Sequence, residues 1–214
     1  MITTATSRVT NDFASNRLVQ GLVVFCSAVW IWAAIAPKYR FDWLLENVLL
    51  AGGVALLIWL YRTHPFSQLS YTLIAIFFSL HTVGAHYTYS EVPWGVWLQS
   101  ITGAERNHYD RIVHFSFGLL IAYPVRELLM RSAGLRRGVS IFFGFAVMVA
   151  SSEIYELIEW IVATMVNPEA ALAFLGTQGD AFDAQKDTGL ALLGTVIALG
   201  LTKTLERSPQ SAAR

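Results

Sequence analysis

The sequence predicts an all-α polytopic membrane protein, with six transmembrane helices in one bundle and both termini in the cytoplasm. Three observations carry this prediction. Of 214 residues, 55% are hydrophobic and only 14% charged, with a mean hydropathy of +0.49, whereas a soluble domain is charged at about a quarter of its positions. The apolar residues gather into six runs, each near the ~20 residues a helix needs to cross the hydrocarbon. The basic residues then partition unequally. With the termini inside, the cytoplasmic side holds Arg8, Arg17, Arg62, Arg126, Arg131, Arg136, Arg137, Lys203, Arg207 and Arg214, and the opposite side only Lys38, Arg40, Arg106, Arg111 and Lys186. That is the bias that sets orientation during insertion. The acids run the other way, with only Asp12, Glu127 and Glu206 inside.

The elements follow in order. Residues 1–17 are polar and read as a cytoplasmic segment. No small-residue cleavage site follows a short apolar core, so the first run, 18–36, is expected to stay as a span. Cys26, the single cysteine, lies within it as a small apolar residue. The second span is 43–61, with Glu46 near its start. The third, 69–89, carries His81 and His86, and Gly84 marks a kink or a close helix approach. The connection 90–109 holds Trp94 and Trp97 and reads as an interfacial segment. The fourth span, 110–130, is interrupted by Pro124. The fifth, 139–166, carries Glu153, Glu156 and Glu159 in its second half. An Ala- and Gly-rich connection, 167–179, leads to the sixth span, 187–203, and to a cytoplasmic tail, 204–214, expected to be disordered. The transmembrane domain is thus 18–203, without a soluble domain or internal repeat.

This topology has a chemical consequence. Spans three and five run outward and carry their ionisable residues late. Spans four and six run inward and carry theirs early. Four helices deliver His81, His86, Asp110, His114, Glu153, Glu156, Glu159, Asp183 and Asp187 to the same outer depth. Charged groups in a bilayer are costly and usually face a bundle interior or a water-filled cavity.

The stretch Gln178-Gly179-Asp180-Ala181-Phe182-Asp183-Ala184-Gln185-Lys186-Asp187 is the densest polar run. If it is helical from Asp180, its three carboxylates lie near one face. A cation, a proton or a basic partner would relieve their repulsion; the plainer reading is an acidic helix start that complements the helix dipole. Asp110 and His114 stand one turn apart. That spacing suits an Asp that fixes the His tautomer, two ligands of one metal, or a proton relay; a capping Asp above an unrelated His is the plainer alternative. Glu153, Glu156 and Glu159 recur every three residues, so one face presents the first two or the last two. His86 and Glu91 flank a polar helix end. Arg106, Arg111 and Lys186 are the nearby cations, able to hold a phosphate or to neutralise the acids.

These motifs resemble the YjdF family of bacterial inner-membrane proteins. The resemblance rests on Gly84-Ala85-His86-Tyr87-Thr88-Tyr89-Ser90-Glu91-Val92-Pro93, Arg106-Asn107-His108-Tyr109-Asp110-Arg111-Ile112-Val113-His114-Phe115, Tyr155-Glu156-Leu157-Ile158-Glu159-Trp160 and the 178–187 stretch. It implies a helical fold and an inner-membrane location rather than a reaction. A more distant similarity is to VanZ-like membrane proteins, which are associated with glycopeptide resistance and cell-envelope lipids. Their Asp-Lys-x-x-His, Glu-x-x-Gln and Asp-x-x-x-Asn are similar to Asp110-Arg111-x-x-His114, Glu153-x-x-Glu156 and Asp183-x-x-x-Asp187, with acids in place of both amides.

The expected function is an outward-facing polar site that acts on or binds a lipid headgroup or another envelope component, with a divalent transition metal. In the catalytic version Asp110, His114, Glu156, Glu159 and His86 carry the chemistry. Asp110, His114, Glu156, Asp183 and Asp187 are the candidate metal ligands, and Arg106, Arg111, Lys186 and Glu91 the candidate substrate contacts. A proton- or cation-coupled transporter and a non-catalytic assembly factor are the rival classes. No G-x-S-x-G, H-E-x-x-H or P-loop signature is present. The basic residues are topology determinants, so no nucleic-acid partner is expected.

Overall fold

The computed structural model describes residues 13–207, without the side chains of 204–207. The expectations for residues 1–12 and 208–214 lie outside the described residues. Among the described residues eight α-helices follow one another: α1 (Arg17–Ala34), α2 (Arg40–Thr63), α3 (Gln68–His86), α4 (Pro93–Thr102), α5 (Tyr109–Ser132), α6 (Arg137–Met165), α7 (Pro168–Leu175) and α8 (Asp183–Arg207). Five of the described helices, α1, α2, α3, α5 and α6, are long and apolar enough to cross a membrane. The outside of the bundle is apolar: Val24, Phe25, Val48 and Phe142 are each more than half exposed, as lipid-facing side chains are.

Local sequence accounts for the helix limits. Asn16 caps α1 by accepting from the Val19 amide, and Ser67 caps α3 by accepting from Ser70. Both short helices begin with proline at the first position and end at a left-handed glycine, Gly103 for α4 and Gly176 for α7. Helix α7 occupies what reads as an Ala- and Gly-rich connection. Its Asn167 cap, which accepts from Ala170, and the high helix propensity of alanine explain it. Pro124 does not interrupt the fourth span. Helix α5 runs through it, and Pro124 is fully buried among its neighbours; transmembrane helices tolerate proline when packing satisfies the freed backbone groups.

Helix α8 begins at Asp183, so Asp180 lies in the preceding turn and not on the helix face the sequence suggests. Gln178 and Gly179 both adopt positive φ, 49° and 85°, which breaks any helix there. The Asp180 Oδ1 then accepts from the Phe182 amide at 3.1 Å, a local bond that competes with helix.

Helices α5 and α8 form the closest pair, and α6 packs on both. Ala122, Met148, Ala198 and Leu199 are buried where these three meet. Helix α3 packs on α5, and α1 on α3. The Tyr109 hydroxyl donates to the Leu80 carbonyl at 2.9 Å, over a second buried cluster of Tyr89, Val92, Tyr109 and Val113. Helix α2 touches mainly α3 and α7. The end of the bundle at which α5 and α8 begin carries the candidate site residues, and the opposite end a separate network in which Glu127 accepts from Ser67 and pairs with Arg131.

Candidate functional site

The site is set by how closely α5 approaches α8. A Cβ on Gly118 would overlap the Ala191 carbonyl oxygen, and one on Gly194 would overlap the Phe115 carbonyl oxygen. Small residues let transmembrane backbones meet in this way. His114 lies one turn from Gly118, and Asp187 two turns from Gly194, so the glycine contact brings those two side chains together.

The segments leading into the two helices are latched to each other. The Asn107 amide donates to Gln178 Oε1 at 2.9 Å, and Gln178 Nε2 donates back to the Asn107 carbonyl at 3.0 Å. The Asn107 side chain, 1% exposed, donates to the Val92 carbonyl at 3.1 Å and accepts from the Tyr109 amide at 3.0 Å. It fills the space where a Cβ on Gly95 would stand. Beside this latch lies a layer of ion pairs. Arg106 forks onto both carboxylate oxygens of Asp183 and lies 3.8 Å from Asp180. Arg111 Nη2 donates to Asp180 at 2.5 Å and stands 3.4 Å from Asp183. Lys186 Nζ pairs with Asp180 at 2.5 Å. The Lys186 hydrogen bond, with the Phe182 amide and Arg111 behind it, holds the Asp180 carboxyl down at about 2. Burial pushes the His108 imidazole below its ordinary pKa, and the charges of Arg111 and Arg106 push the same way.

Deeper than this layer, Asp110, His114 and Asp187 each offer one ligand atom, all within 4.8 Å of one another. His114 Nε2 is 3.6 Å from Asp110 Oδ1, and its Nδ1 is 3.7 Å from Glu156 Oε1. Asp187 is 3% exposed. Its Oδ1 and the Glu156 Oε1 are buried without a hydrogen-bond partner among the described residues. Buried carboxylate oxygens left unpaired are expensive. Two acids and an imidazole converging around such oxygens form a donor set that a divalent transition metal would satisfy.

The remaining candidates fall in three places. Asp183, Arg106, Arg111 and Lys186 make the ion-pair layer, with Asp183 turned to the arginines. Glu159 shares a hydrogen bond with Glu156 and lines a small cavity of about 110 Å³ with Glu46, Tyr155 and Phe174; Glu153 is exposed on the outside of α6. His86 and Glu91 stand apart. His86 Nδ1 lies 2.9 Å from the Ala33 carbonyl and its ring stacks on Trp32, while Glu91 pairs with Lys38. Both secure the connection between α1 and α2.

Sequence reasoning missed the role of Glu46. It is 4% exposed and accepts from the Tyr155 hydroxyl at 3.2 Å and the Tyr89 hydroxyl at 3.4 Å. Tyr89 is also hydrogen-bonded to His81 Nδ1 at 2.7 Å. An acid inside an apolar span was the available signal, but nothing in the spacing joins residue 46 to 155.

The family model described as "Predicted membrane protein (DUF2238)" matches residues 18–208. The "Inner membrane protein YjdF" of Escherichia coli (strain K12) is 39% identical over 187 residues, which cover 85% of this chain and 89% of that protein. No solved structure is similar to the chain. With five apolar helices of spanning length and this relative, the protein is a multi-pass protein of the inner membrane, embedded in its bilayer, and it belongs to the DUF2238 family of predicted membrane proteins.

Proposed function

We propose that the chain crosses the membrane six times with both termini in the cytoplasm, and that its outward-facing acidic site holds a divalent transition metal and acts on a lipid headgroup or another cell-envelope component. Helix α8, 25 residues long, is the sixth span. Its first five residues include Asp183, Lys186 and Asp187, which lowers its apolarity, and these are the groups the site uses. Residues 1–17 and 204–214 then flank a transmembrane domain of 18–203. The ten-to-five split of basic residues supports this orientation.

The observation that carries the chemistry is the buried Asp110–His114–Asp187 set within 4.8 Å, with an unpaired Asp187 oxygen. Mixed carboxylate and imidazole donors suit zinc, manganese or iron better than calcium. A bound ion of this kind polarises a phosphoryl or carbonyl oxygen. Glu156, beside His114, is placed to take or give a proton. All three cations are paired, but Lys186, on Asp180, keeps its side chain 48% exposed and is the one a phosphate would reach, whereas Arg106 is buried on Asp183. A cation- or proton-coupled transporter is the second reading, favoured by the buried polar groups that continue from Glu159 through Tyr155 to Glu46.

Elemental analysis of purified protein tests the metal: a transition metal in stoichiometric amount, lost in His114→Ala and Asp187→Ala, is expected. No metal after reloading at neutral pH would overturn the metal reading. For the topology, a periplasm-active reporter fused after Glu169 should be active and one after Arg207 silent; reversed activities would turn the site to the cytoplasm.

A further inference from the structure

The polar groups around Glu46 lie outside the Asp110–His114–Asp187 set and form a ring of their own. Glu46 comes from α2, His81 from α3, and Tyr89 from the turn that follows α3. The Tyr89 hydroxyl lies 2.7 Å from His81 Nδ1 and 3.4 Å from Glu46 Oε2. The ring closes between His81 Nε2 and Glu46 Oε2, which stand 3.9 Å apart. His81 is 8% exposed, and its Nε2 is buried with no hydrogen-bond partner among the described residues. What that nitrogen faces is the Glu46 carboxyl.

The chain bends sharply to make this ring. Thr88 and Tyr89 both adopt a left-handed backbone, with φ of 52° and 53°, which is costly for a β-branched and an aromatic residue. A Cβ on Gly84 would overlap the Tyr89 ring, so the glycine leaves the room that the turn needs. The turn brings the Tyr89 hydroxyl back onto its own helix and across to α2.

The ring is one hydrogen short. It has three polar contacts. A neutral phenol brings one hydrogen, and a neutral imidazole one, on either nitrogen. Two hydrogens fill two contacts, whichever tautomer His81 adopts. With Glu46 ionised, the third contact sets lone pair against lone pair. A hydrogen on the Glu46 carboxyl completes the cycle: Glu46 donates to Tyr89, Tyr89 to His81 Nδ1, and His81 Nε2–H points at Glu46, or the same cycle runs in reverse. No lysine or arginine among the described residues stands within ion-pair distance of Glu46, and a buried carboxylate without a cation is expensive. The other titratable groups facing it are Asp42 on its own helix, Asp110 from α5, and Tyr155 and Glu159 from α6, while His114 of α5 faces His81. Helix α7 presents Phe174. None of these is a permanent cation.

We propose that Glu46, Tyr89 and His81 form a proton-binding site, which holds one proton on the Glu46 carboxyl and closes its ring with it. The site depends neither on the metal nor on the orientation of the chain in the membrane.

Infrared difference spectroscopy of the full chain in liposomes at neutral pH tests it. Subtracting Glu46→Gln from the wild type should leave one protonated-carboxyl stretching band. That band should move in Tyr89→Phe, which removes a ring member and keeps its shape. Glu46→Gln itself should keep the wild-type thermal midpoint, because the amide has the shape of the protonated acid and brings hydrogens of its own. A difference spectrum without a carboxyl band would show an ionised Glu46 and overturn the proposal. A band that Tyr89→Phe leaves in place would take the proton off the ring and overturn it too. So would a Glu46→Gln that loses stability or fails to fold. A wild-type midpoint that sodium raises, with no response in Glu46→Gln, would put a metal cation where the proton is proposed and contradict it as well.

Discussion

Helices α5 and α8 meet backbone to backbone, while α1 and α2 splay around a cleft. Both pairs are rich in leucine, valine and alanine. Apolar surface alone therefore does not decide which helices touch. Lipid tails are as apolar as leucine, so transmembrane association comes from close packing and polar contacts. The α5–α8 pair has both: Gly118 and Gly194 remove the side chains that would hold it apart, and the Asn107–Gln178 latch and the Arg106–Asp183 fork tie its ends. The α1–α2 pair has glycines too, but Gly21, Gly52 and Gly53 face open space, and one Trp30–Asn47 bond is its main polar link.

The contrast can be broken deliberately. The largest effect is expected from Gly118→Leu, whose side chain would enter the Ala191 backbone. Overpacking costs 1–3 kcal/mol, occasionally more, even where side chains can move, so about 3 kcal/mol or more is expected here. A Cβ on Gly52 meets nothing within 4 Å, so Gly52→Leu should leave stability unchanged or slightly raised. Comparing thermal midpoints in detergent checks the pair, and similar losses in both would remove the distinction between the two interfaces.

A smaller effect of the same order follows from Asp183→Asn. The Arg106 and Asp183 side chains are 8% and 6% exposed. Removing one charge strands the other, a change that costs about 3–5 kcal/mol for buried pairs; the nearby Asp180 moves the expectation to the lower end. An unchanged midpoint would show that the fork is not a tie between the two helices.

The smallest effect is a pH dependence. The Asp180 carboxyl is held at about 2, below its ordinary 3.8, by Lys186 first. A depressed carboxyl pKa contributes stability above the unfolded value and loses it as pH falls through the folded one. The difference in midpoint between wild type and Asp180→Asn should therefore be full at pH 5, shrink between pH 4 and 2, and vanish below. A difference that stays constant through this range would rule out the Lys186 pairing as its source.

The helices were largely legible in the sequence because length and hydropathy mark a span whatever it packs against. The pairing of Asp110 with His114 was legible because four residues make a helical turn. Rotation of one helix against another was not. Glu46 turns inward to Tyr155, 109 positions away, while Glu153 on a better-marked acidic face turns outward. His86 has the composition of a site residue, yet its ring is taken by Trp32 and Ala33. The 178–187 stretch reads as one helical face, but the positive φ of Gln178 and Gly179 puts Asp180 in a turn. That turn divides the carboxylates: Asp180 and Asp183 go to the cations, and Asp187 to His114.

The most direct test of this division is anomalous X-ray scattering from crystals of the protein grown with zinc or manganese. A single peak is expected between Asp110, His114 and Asp187, within about 2.0–2.2 Å of a His114 nitrogen and the two carboxylates for zinc, and absent in Asp187→Ala. No peak at this position, or a peak instead at Asp180 and Asp183, would contradict it.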